Sequence, residues 1–291
     1  MRAGRKRSVM VATALAVAST GLQAACLDDA QVQAMAKGYF EKTPVANPEG
    51  LSDADASCTR KKLHALLEQR FGKAIGYKAG LTNPAVQKRF GTDQPVWGRL
   101  YQGSLLESGA TVEAAFGARP LYEADMLVRV KSDAINRAST PAQVLDAIDQ
   151  VIPFIELPDL VVQAPPKLNG AGIAAINVGA RLGVVGKPIP VPSGEPDRGA
   201  MLDALRDMKV TLTDAAGTTL GGGKGSDILD HPLNAVVWLA KALAAEGIAL
   251  KPGELVSLGS FSALLPPKSD LEVTARYEGL PGAAPVKVGF R

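Results

Sequence analysis

Three acidic residues lie in apolar segments of this 291-residue chain and constrain how those segments can fold. Glu123 and Asp125 stand two residues apart in the segment 121–130, and Glu156 follows the apolar run 151–155. Alternate side chains on a β-strand point to the same face, so Glu123 and Asp125 are predicted to share a face. A buried carboxylate costs roughly several kcal/mol unless a cation or hydrogen bonds satisfy it. The three acids therefore predict two strands and a shared partner, and a divalent metal ion would satisfy all of them.

The first 25 residues have the pattern of a secretory signal peptide. Four cations within the first seven residues precede an uncharged run, residues 8–18, and alanines at positions 24 and 25 suit a cleavage site. The run is shorter than the roughly 20 residues of a membrane-spanning helix, and no later segment is long and apolar enough. We therefore expect a periplasmic or secreted protein with no membrane span.

Removing this leader changes the charge of the chain. The full sequence has 32 basic and 29 acidic residues and a net charge of +3, and removing the four leader cations leaves 28 basic residues against 29 acidic ones. The mature net charge is then about −1, so the electrostatic argument for nucleic-acid binding disappears. We expect no nucleic-acid partner.

The chain has only two cysteines, Cys26 and Cys58, and both lie early in the predicted mature protein. In an oxidising compartment this arrangement predicts a disulfide, which would stabilise the fold by about 3 to 4 kcal/mol. Alternatively, Cys26 is the lipidated first residue of a lipoprotein, because Ala24 and Ala25 form part of a lipobox. Gln23, however, stands where that motif requires an aliphatic residue.

The mature chain divides into a helical segment, residues 26–75, and a mostly β part, residues 76–291. Apolar residues at helical spacing over 31–40 and 59–71 predict two helices, joined by the polar, proline-containing link 43–52. Strands are expected to dominate from residue 118 onward, with a hairpin turn at 214–217 and one later helix between Pro232 and Gly247. These signals predict an α+β fold.

Several kinds of site are excluded by composition. With only His64 and His231, a zinc site built on several histidines is impossible, and two cysteines cannot form a thiolate cage. Oxygen ligands instead indicate Mg²⁺, Mn²⁺ or Ca²⁺. The glycine-rich segment 221–226 matches neither a P-loop nor a dinucleotide-binding fingerprint, and the chain has no nucleophile elbow.

Each candidate also has a purely structural interpretation. The acids at 123 and 125 would fit the solvated face of an edge strand, and Glu156 could pair with an arginine. His64 would fit an exposed position of its helix, His231 a helix start, and Lys78 a solvated surface position.

Several motifs occur in an order typical of one enzyme family. They are Gly-Tyr-Lys-Ala-Gly-Leu-Thr at 76–82, Val-Gln at 86–87, Asp-Gln-Pro at 93–95, Glu123-x-Asp125, Glu156, Gly-Lys-Gly-Ser at 223–226 and the segment 231–240. With them the chain resembles the 2-keto-4-pentenoate hydratase and 4-oxalocrotonate decarboxylase branch of the fumarylacetoacetate hydrolase family, from about residue 76 to 265. The resemblance implies a mixed β roll with a barrel-like curl in residues 76–291, and a homo-oligomer.

The resemblance also implies roles for individual residues. Glu123, Asp125 and Glu156 match the family's ligands of Mg²⁺ or Mn²⁺, which holds the carboxylate and 2-oxo oxygens of a small keto acid. Lys78 matches the catalytic lysine, where a cation suits an anionic substrate and proton transfer.

Asn177, Lys224 and Ser260 are implied as substrate-binding residues.

Two positions depart from the family pattern. Val96 stands where hydratases and decarboxylases have an aspartate after Asp-Gln-Pro, and Ile176 replaces the acid before Asn177. Neither side chain can transfer a proton, so the metal ligands are kept while acid-base groups are lost.

We therefore expect a metal-dependent lyase acting on a small 2-keto acid, most like a 2-keto-4-pentenoate hydratase. A decarboxylase or a C–C hydrolase of the same family is an alternative that uses the same site. Another alternative is a non-catalytic periplasmic protein that binds keto or dicarboxylic acids, which Val96 and Ile176 favour.

Overall fold

The computed structural model describes residues 26–291, so the predicted signal peptide lies outside the described residues. The described chain begins with two helices, α1 (Asp29–Glu41) and α2 (Asp53–Phe71). Both begin with a capping box, in which the side chain before the helix and the third helical residue satisfy each other's backbone N–H groups. For α2 that cap is Ser52, and the helix therefore starts at Asp53, earlier than the apolar spacing predicted.

The start of α1 is attached to α2. Cys26 and Cys58 form a disulfide with their Cα atoms 5.4 Å apart. The backbone N–H of Leu27 donates to Thr59 Oγ1 at 3.0 Å, and Lys62 Nζ donates to the Leu27 carbonyl at 3.2 Å. Within residues 26–291, no helix combines the length and the hydrophobicity needed to cross a membrane.

The strands of the described residues form two sheets. The larger sheet contains β1 (Ala74–Gly80), β2 (Val96–Tyr101), β3 (Leu105–Glu107), β5 (Glu123–Val130), β6 (Ile148–Leu157), β7 (Leu182–Val185), β8 (Ile189–Pro190) and β11 (Leu255–Ser257). The smaller sheet contains β4 (Ala110–Val112), β9 (Lys209–Thr213), β10 (Thr219–Lys224), β12 (Glu272–Glu278) and β13 (Val286–Phe290). The larger sheet has the order β2-β1-β11-β5-β6-β7-β3, with β8 on β6, and the smaller has the order β10-β9-β12-β13-β4. The predicted α+β fold with a curled sheet is confirmed.

Five further α-helices connect the strands within residues 26–291. They are α3 (Pro84–Arg89), α4 (Pro141–Ala147), α5 (Gly170–Ala175), α6 (Asp197–Asp207) and α7 (Asn234–Ala245). The helix predicted between Pro232 and Gly247 corresponds to α7, whereas the sequence signals did not indicate α5 or α6. All six residues of α5 are buried, and the helix therefore has no alternation of apolar and polar residues to detect.

Two apolar clusters form most of the core. The larger joins both sheets to α4, α6 and α7, and includes Met126, Val236 and Val288. The smaller joins α1 and α2 to the larger sheet and includes Leu63 and Ile176. The helical segment 26–75 is therefore packed against the remainder of the chain, and residues of one cluster come from both predicted parts.

Candidate active site

The three acids meet on neighbouring strands. Glu123 on β5 lies directly opposite Glu156 on β6, and Asp125 follows on the same face of β5. One carboxylate oxygen from each lies within 4.8 Å of the others. All three residues are buried, and β5 is an interior strand between β11 and β6. The alternative interpretation of a solvated edge strand is therefore wrong.

Lys78 lies beside the acids in the middle of β1. β1 reaches β5 through β11, because Lys78 pairs with Ser257 and Ser257 pairs with Leu127. The lysine is 2% exposed, forms an ion pair with Glu156 Oε1, and donates from Nζ to the Val178 carbonyl at 3.1 Å. It is thus a buried cation with two fixed partners, and the interpretation as a solvated surface lysine is wrong.

Asp125 is held by hydrogen bonds from the neighbouring strand and loop. Ser257 Oγ donates to Asp125 Oδ2 at 2.5 Å, and the Gly259 N–H donates to Oδ1 at 3.0 Å. Ser257 is the last residue of β11 and Gly259 follows two residues later, so the end of this strand and the loop after it fix the orientation of the carboxylate. Glu156 differs, since its Oε2 is buried without a hydrogen-bond partner among the described residues.

The electrostatics of the site favour an added cation. Burial first, and then the negative charge of Glu156, raise the pKa values of Glu123 and Asp125 well above their ordinary values. Lys78 supplies one positive charge to three carboxylates, and the free oxygen of Glu156 lacks a donor. A divalent ion would supply both the charge and the bond, and an all-oxygen donor set suits Mg²⁺ or Mn²⁺. The residues present therefore fit a metal centre.

A cavity of about 620 Å³ adjoins the acids. Lys78 and Glu123 line it together with Ser260, which the family resemblance implies as a substrate-binding residue. Most of its other lining is apolar and includes Leu81, Val86, Phe90, Leu160, Ile173 and Val178. Such a mixture of apolar walls and a few polar groups is typical of small-molecule sites.

Two of the implied substrate-binding residues do not reach this cavity. Asn177 is fully buried, and its amide is occupied: Oδ1 accepts from the Arg99 N–H at 2.7 Å, and Nδ2 donates to the Arg99 carbonyl at 3.1 Å. Lys224 is exposed at the end of β10 and does not line the cavity. The substrate-binding roles implied for these two residues therefore gain no support from the lining of the cavity and stay predictions.

Asn177 instead holds a left-handed turn behind Lys78. Asn177 and Val178 have φ values of 55° and 54°, a conformation that is uncommon for non-glycine residues and strained for a β-branched one. The turn presents the Val178 carbonyl to Lys78, and Tyr39 of α1 donates to the preceding Ile176 carbonyl at 3.0 Å. The strained turn therefore supplies the carbonyl oxygen that holds the Lys78 ammonium in place.

His64 of α2 also contacts this turn, in addition to Arg99 and Tyr39. It is buried rather than exposed, and Nε2 lies 2.8 Å from Asn177 Oδ1. Because Arg99 fixes that oxygen as an acceptor, His64 Nε2 is the donor. Burial, and then the charge of Arg99, lower the His64 pKa to about 3, so the ring is neutral. The sequence interpretation missed this role because the contact joins residues 113 positions apart.

The remaining candidate residues lie away from the cavity, at a helix start or in the apolar core. His231 lies just before α7, where its Nδ1 accepts from the Leu233 N–H at 3.1 Å, as expected for a helix start. Val96 packs against the smaller apolar cluster, and Ile176 belongs to it. Neither is among the residues that line the cavity.

Comparisons with known proteins agree with the motifs. No family model matched the chain. The chain is 32% identical to a 2-hydroxyhexa-2,4-dienoate hydratase of Comamonas testosteroni over 197 residues, which cover 67% of this chain and 70% of the relative. It is 29% identical to a 2-keto-4-pentenoate hydratase of Burkholderia vietnamiensis over 213 residues, covering 72% and 76% of the two chains.

The structural comparison extends further. The 4-oxalocrotonate decarboxylase of Pseudomonas putida G7, in a structure complexed with magnesium and adipate, matches with a TM-score of 0.76 at 26% identity. The match covers 91% of this chain and 99% of that chain, so it includes most of the helical segment as well as the sheets. The chain therefore belongs to the fumarylacetoacetate hydrolase family, in the branch of the 2-keto-4-pentenoate hydratases and 4-oxalocrotonate decarboxylases.

Proposed function

We propose that this protein is a metal-dependent lyase that acts on a small 2-keto acid, with hydration of a 2-hydroxydienoic acid as its reaction. One observation carries the proposal: three buried carboxylates and one buried lysine adjoin an apolar cavity, with a carboxylate oxygen left unpartnered. The named relatives are hydratases and decarboxylases, which supports enzymatic activity on this scaffold.

Glu123, Asp125 and Glu156 would hold Mg²⁺ or Mn²⁺. When bound there, the ion would act as a Lewis acid toward the carboxylate and 2-oxo oxygens of the keto acid. Ser257 and Gly259 orient Asp125, and the apolar walls exclude water from the hydrocarbon part of the substrate.

Lys78 is the proposed proton-transfer residue. Its Nζ is fixed between Glu156 and the Val178 carbonyl, and the residue lines the cavity, which supports a role in proton transfer to a bound substrate. The aspartate that hydratases have at position 96 is absent, and Val96 does not line the cavity. Lys78 would therefore transfer the proton without an aspartate at position 96.

A titration with Mn²⁺ and oxalate, followed by thermal unfolding, tests the metal centre. Saturation to 100 times the dissociation constant stabilises a protein by about 2.7 kcal/mol, which gives a clear rise in Tm. Glu156→Gln should abolish the rise, whereas Glu107→Gln at the exposed end of strand β3 should retain it. A wild-type protein that shows no metal-dependent rise would rule out the proposed centre.

The reaction is tested by the ultraviolet absorbance of a 2-hydroxydienoate, which hydration removes. Turnover that requires both the metal and Lys78 supports the hydratase. Release of CO₂ from 4-oxalocrotonate, or hydrolytic C–C cleavage, would instead identify the two alternative reactions of the family.

A non-catalytic binder of keto or dicarboxylic acids is the second candidate. Val96 and Ile176 favour it, because both occupy apolar surroundings in which no acid-base group replaces the missing acids. Ligand-dependent stabilisation without turnover on any of these substrates would select it.

We also propose export to the periplasm and assembly as a homo-oligomer. The Cys26–Cys58 disulfide supports an oxidising compartment. Cell fractionation and light scattering of the purified protein test the two parts separately.

A further inference from the structure

We propose that Tyr277 is a positioning residue of the metal centre, because its hydroxyl fixes the spacing between the two strands that carry the three acids. The proposal rests on the proposed function, since it takes Glu123, Asp125 and Glu156 as the metal ligands. Tyr277 lies on β12 of the smaller sheet and is not among the residues that line the cavity. Its effect is therefore on the bound ion, and it reaches the keto acid only through that ion.

The hydroxyl of Tyr277 contacts the backbone of both ligand-bearing strands. Tyr277 Oη accepts from the Phe154 N–H of β6 at 3.1 Å and lies 2.7 Å from the Phe154 carbonyl oxygen. It is also hydrogen-bonded to the carbonyl oxygen of Asp125 on β5. A phenol has a single proton, so the two carbonyls share it. The side chain is buried and its ring packs edge-on against Phe261, with the ring centroids 6.4 Å apart, so the core holds the phenol in place.

These contacts lie within the hydrogen-bond ladder between β5 and β6. Asp125 and Phe154 are directly opposite each other in this antiparallel pair. The carbonyls of residues 124 and 126 accept from the loop after β11, and the carbonyl of residue 153 accepts from Gly186 after β7. Because successive backbone groups of a strand point to alternate sides, Asp125 and Phe154 direct theirs toward each other. Two such residues ordinarily exchange N–H···O bonds directly, whereas here the hydroxyl of Tyr277 binds the Phe154 N–H and both carbonyls.

The bridged pair is in register with the metal ligands. Asp125 is itself a proposed ligand, Glu123 is two residues before it, and Glu156 is two residues beyond Phe154 and opposite Glu123. The separation of the two backbones at the bridged pair therefore sets how far the carboxylates of β5 stand from the carboxylate of β6. Ca²⁺ binds oxygen at about 2.3 to 2.6 Å and Mg²⁺ at about 2.0 to 2.1 Å, so this separation also selects the size of the ion.

Removal of the hydroxyl should contract the site. Without the phenol oxygen, the Phe154 N–H faces the Asp125 carbonyl, and a direct N–H···O bond between β5 and β6 becomes possible. That bond would draw Glu156 toward Glu123. A contracted set of ligands favours short metal–oxygen bonds, so it should discriminate more strongly against Ca²⁺.

Tyr277→Phe tests the proposal, because it keeps the ring and removes only the hydroxyl. Electron paramagnetic resonance follows free Mn²⁺ while the purified protein is titrated, and Mg²⁺ or Ca²⁺ is then added as a competitor. The variant should bind Mn²⁺ roughly 10-fold more weakly, as expected for a residue that orients metal ligands. Its ratio of Ca²⁺ affinity to Mg²⁺ affinity should fall below that of the wild type.

Ser104→Ala is the matched control. Ser104 lies between β2 and β3, is buried, and does not line the cavity. Its Oγ donates to the Tyr101 carbonyl at 2.6 Å and accepts from the Tyr101 N–H at 3.3 Å, so this variant also removes a buried hydroxyl that is bonded to backbone. Both variants should lower the urea midpoint, but Ser104→Ala should keep the wild-type Mn²⁺ affinity and ion preference. Equal metal binding by the wild type and Tyr277→Phe, or equal losses in the two variants, would overturn the positioning role.

A second measurement does not depend on the folding of the phenylalanine variant. 3-Fluorotyrosine incorporated at position 277 keeps the hydroxyl, and its fluorine resonance should shift when Mg²⁺ saturates the site, whereas 3-fluorotyrosine at position 101 should give an unchanged resonance. A resonance at position 277 that does not respond to bound Mg²⁺ would contradict the contact between the phenol and the ligand strands. Failure of the wild type to bind Mn²⁺ at all would instead overturn the proposed metal centre, and this role of Tyr277 with it.

Discussion

Acidification should destabilise the protein through His64, and the size of this effect follows from its environment. The folded protein keeps the ring neutral, because burial and Arg99 lower its pKa from 6.5 to about 3. The unfolded chain takes up a proton below pH 6.5, whereas the folded protein does not until about pH 3. The unfolded state therefore binds more protons throughout this window, and stability is lost as the pH falls.

The magnitude is about 1.4 kcal/mol per pH unit below the unfolded pKa. Between about pH 7 and about pH 5, His64 alone should lower the free energy of unfolding by about 2 kcal/mol. The residue is 3% exposed, so solvent screening of this effect is small. Glu123, Asp125 and His231 also have shifted pKa values, but they are common to the wild type and to a variant at position 64.

The assay compares the wild type with His64→Gln, whose amide can donate to Asn177 but cannot titrate. Urea unfolding at about pH 7, 6 and 5 gives the free energy of unfolding for each protein. The stability difference between them should change by about 2 kcal/mol across this range, in the direction that costs the wild type at low pH. Parallel pH dependences for the two proteins would refute a buried, neutral His64.

Three further changes give expected outcomes of other kinds. Ser257→Ala removes the donor to Asp125 Oδ2 and should weaken Mn²⁺ binding by roughly 10-fold in a calorimetric titration; an unchanged affinity would contradict the orienting role. Reduction of the disulfide should lower the free energy of unfolding by about 3 to 4 kcal/mol, with intact mass confirming the reduction. Gly98→Ala places a Cβ 2.5 Å from a carbonyl oxygen of the left-handed turn and should cost about 1 to 3 kcal/mol, whereas Gly194→Ala, with open space around it, should leave the urea midpoint nearly unchanged.

The acids of the site were predictable because their signal is local. Glu123 and Asp125 are two residues apart, so the strand period alone places them on one face, while Met126, the next residue of the strand, lies in the larger apolar cluster. Glu156 required more than the period, because its register opposite Glu123 is a property of the paired strands. The order of the family motifs, and not the residue spacing, indicated that Glu156 belongs to the same site as Glu123.

The supports of the site were not predictable in the same way. His64 and Asn177 are brought together by the packing of α2 behind the larger sheet, and neither residue has a local pattern that indicates the contact. The hydrogen bonds between the Asn177 amide and the Arg99 backbone were also not predictable, and the substrate contact expected of Asn177 stays a prediction. Such bonds depend on the three-dimensional path of the backbone. The family resemblance gave only the residue types at the matching positions.

The contacts of the left-handed turn with α1 and α2 bear on where the chain can be cut. The change from helices to strands suggests a boundary near Gly76, and a fragment starting there would retain every proposed metal ligand and Lys78. It would lose Tyr39 and His64, which form hydrogen bonds to Ile176 and Asn177 at the turn. The helices therefore form part of the minimal unit that an expression experiment should contain, even though no residue of either helix lines the cavity.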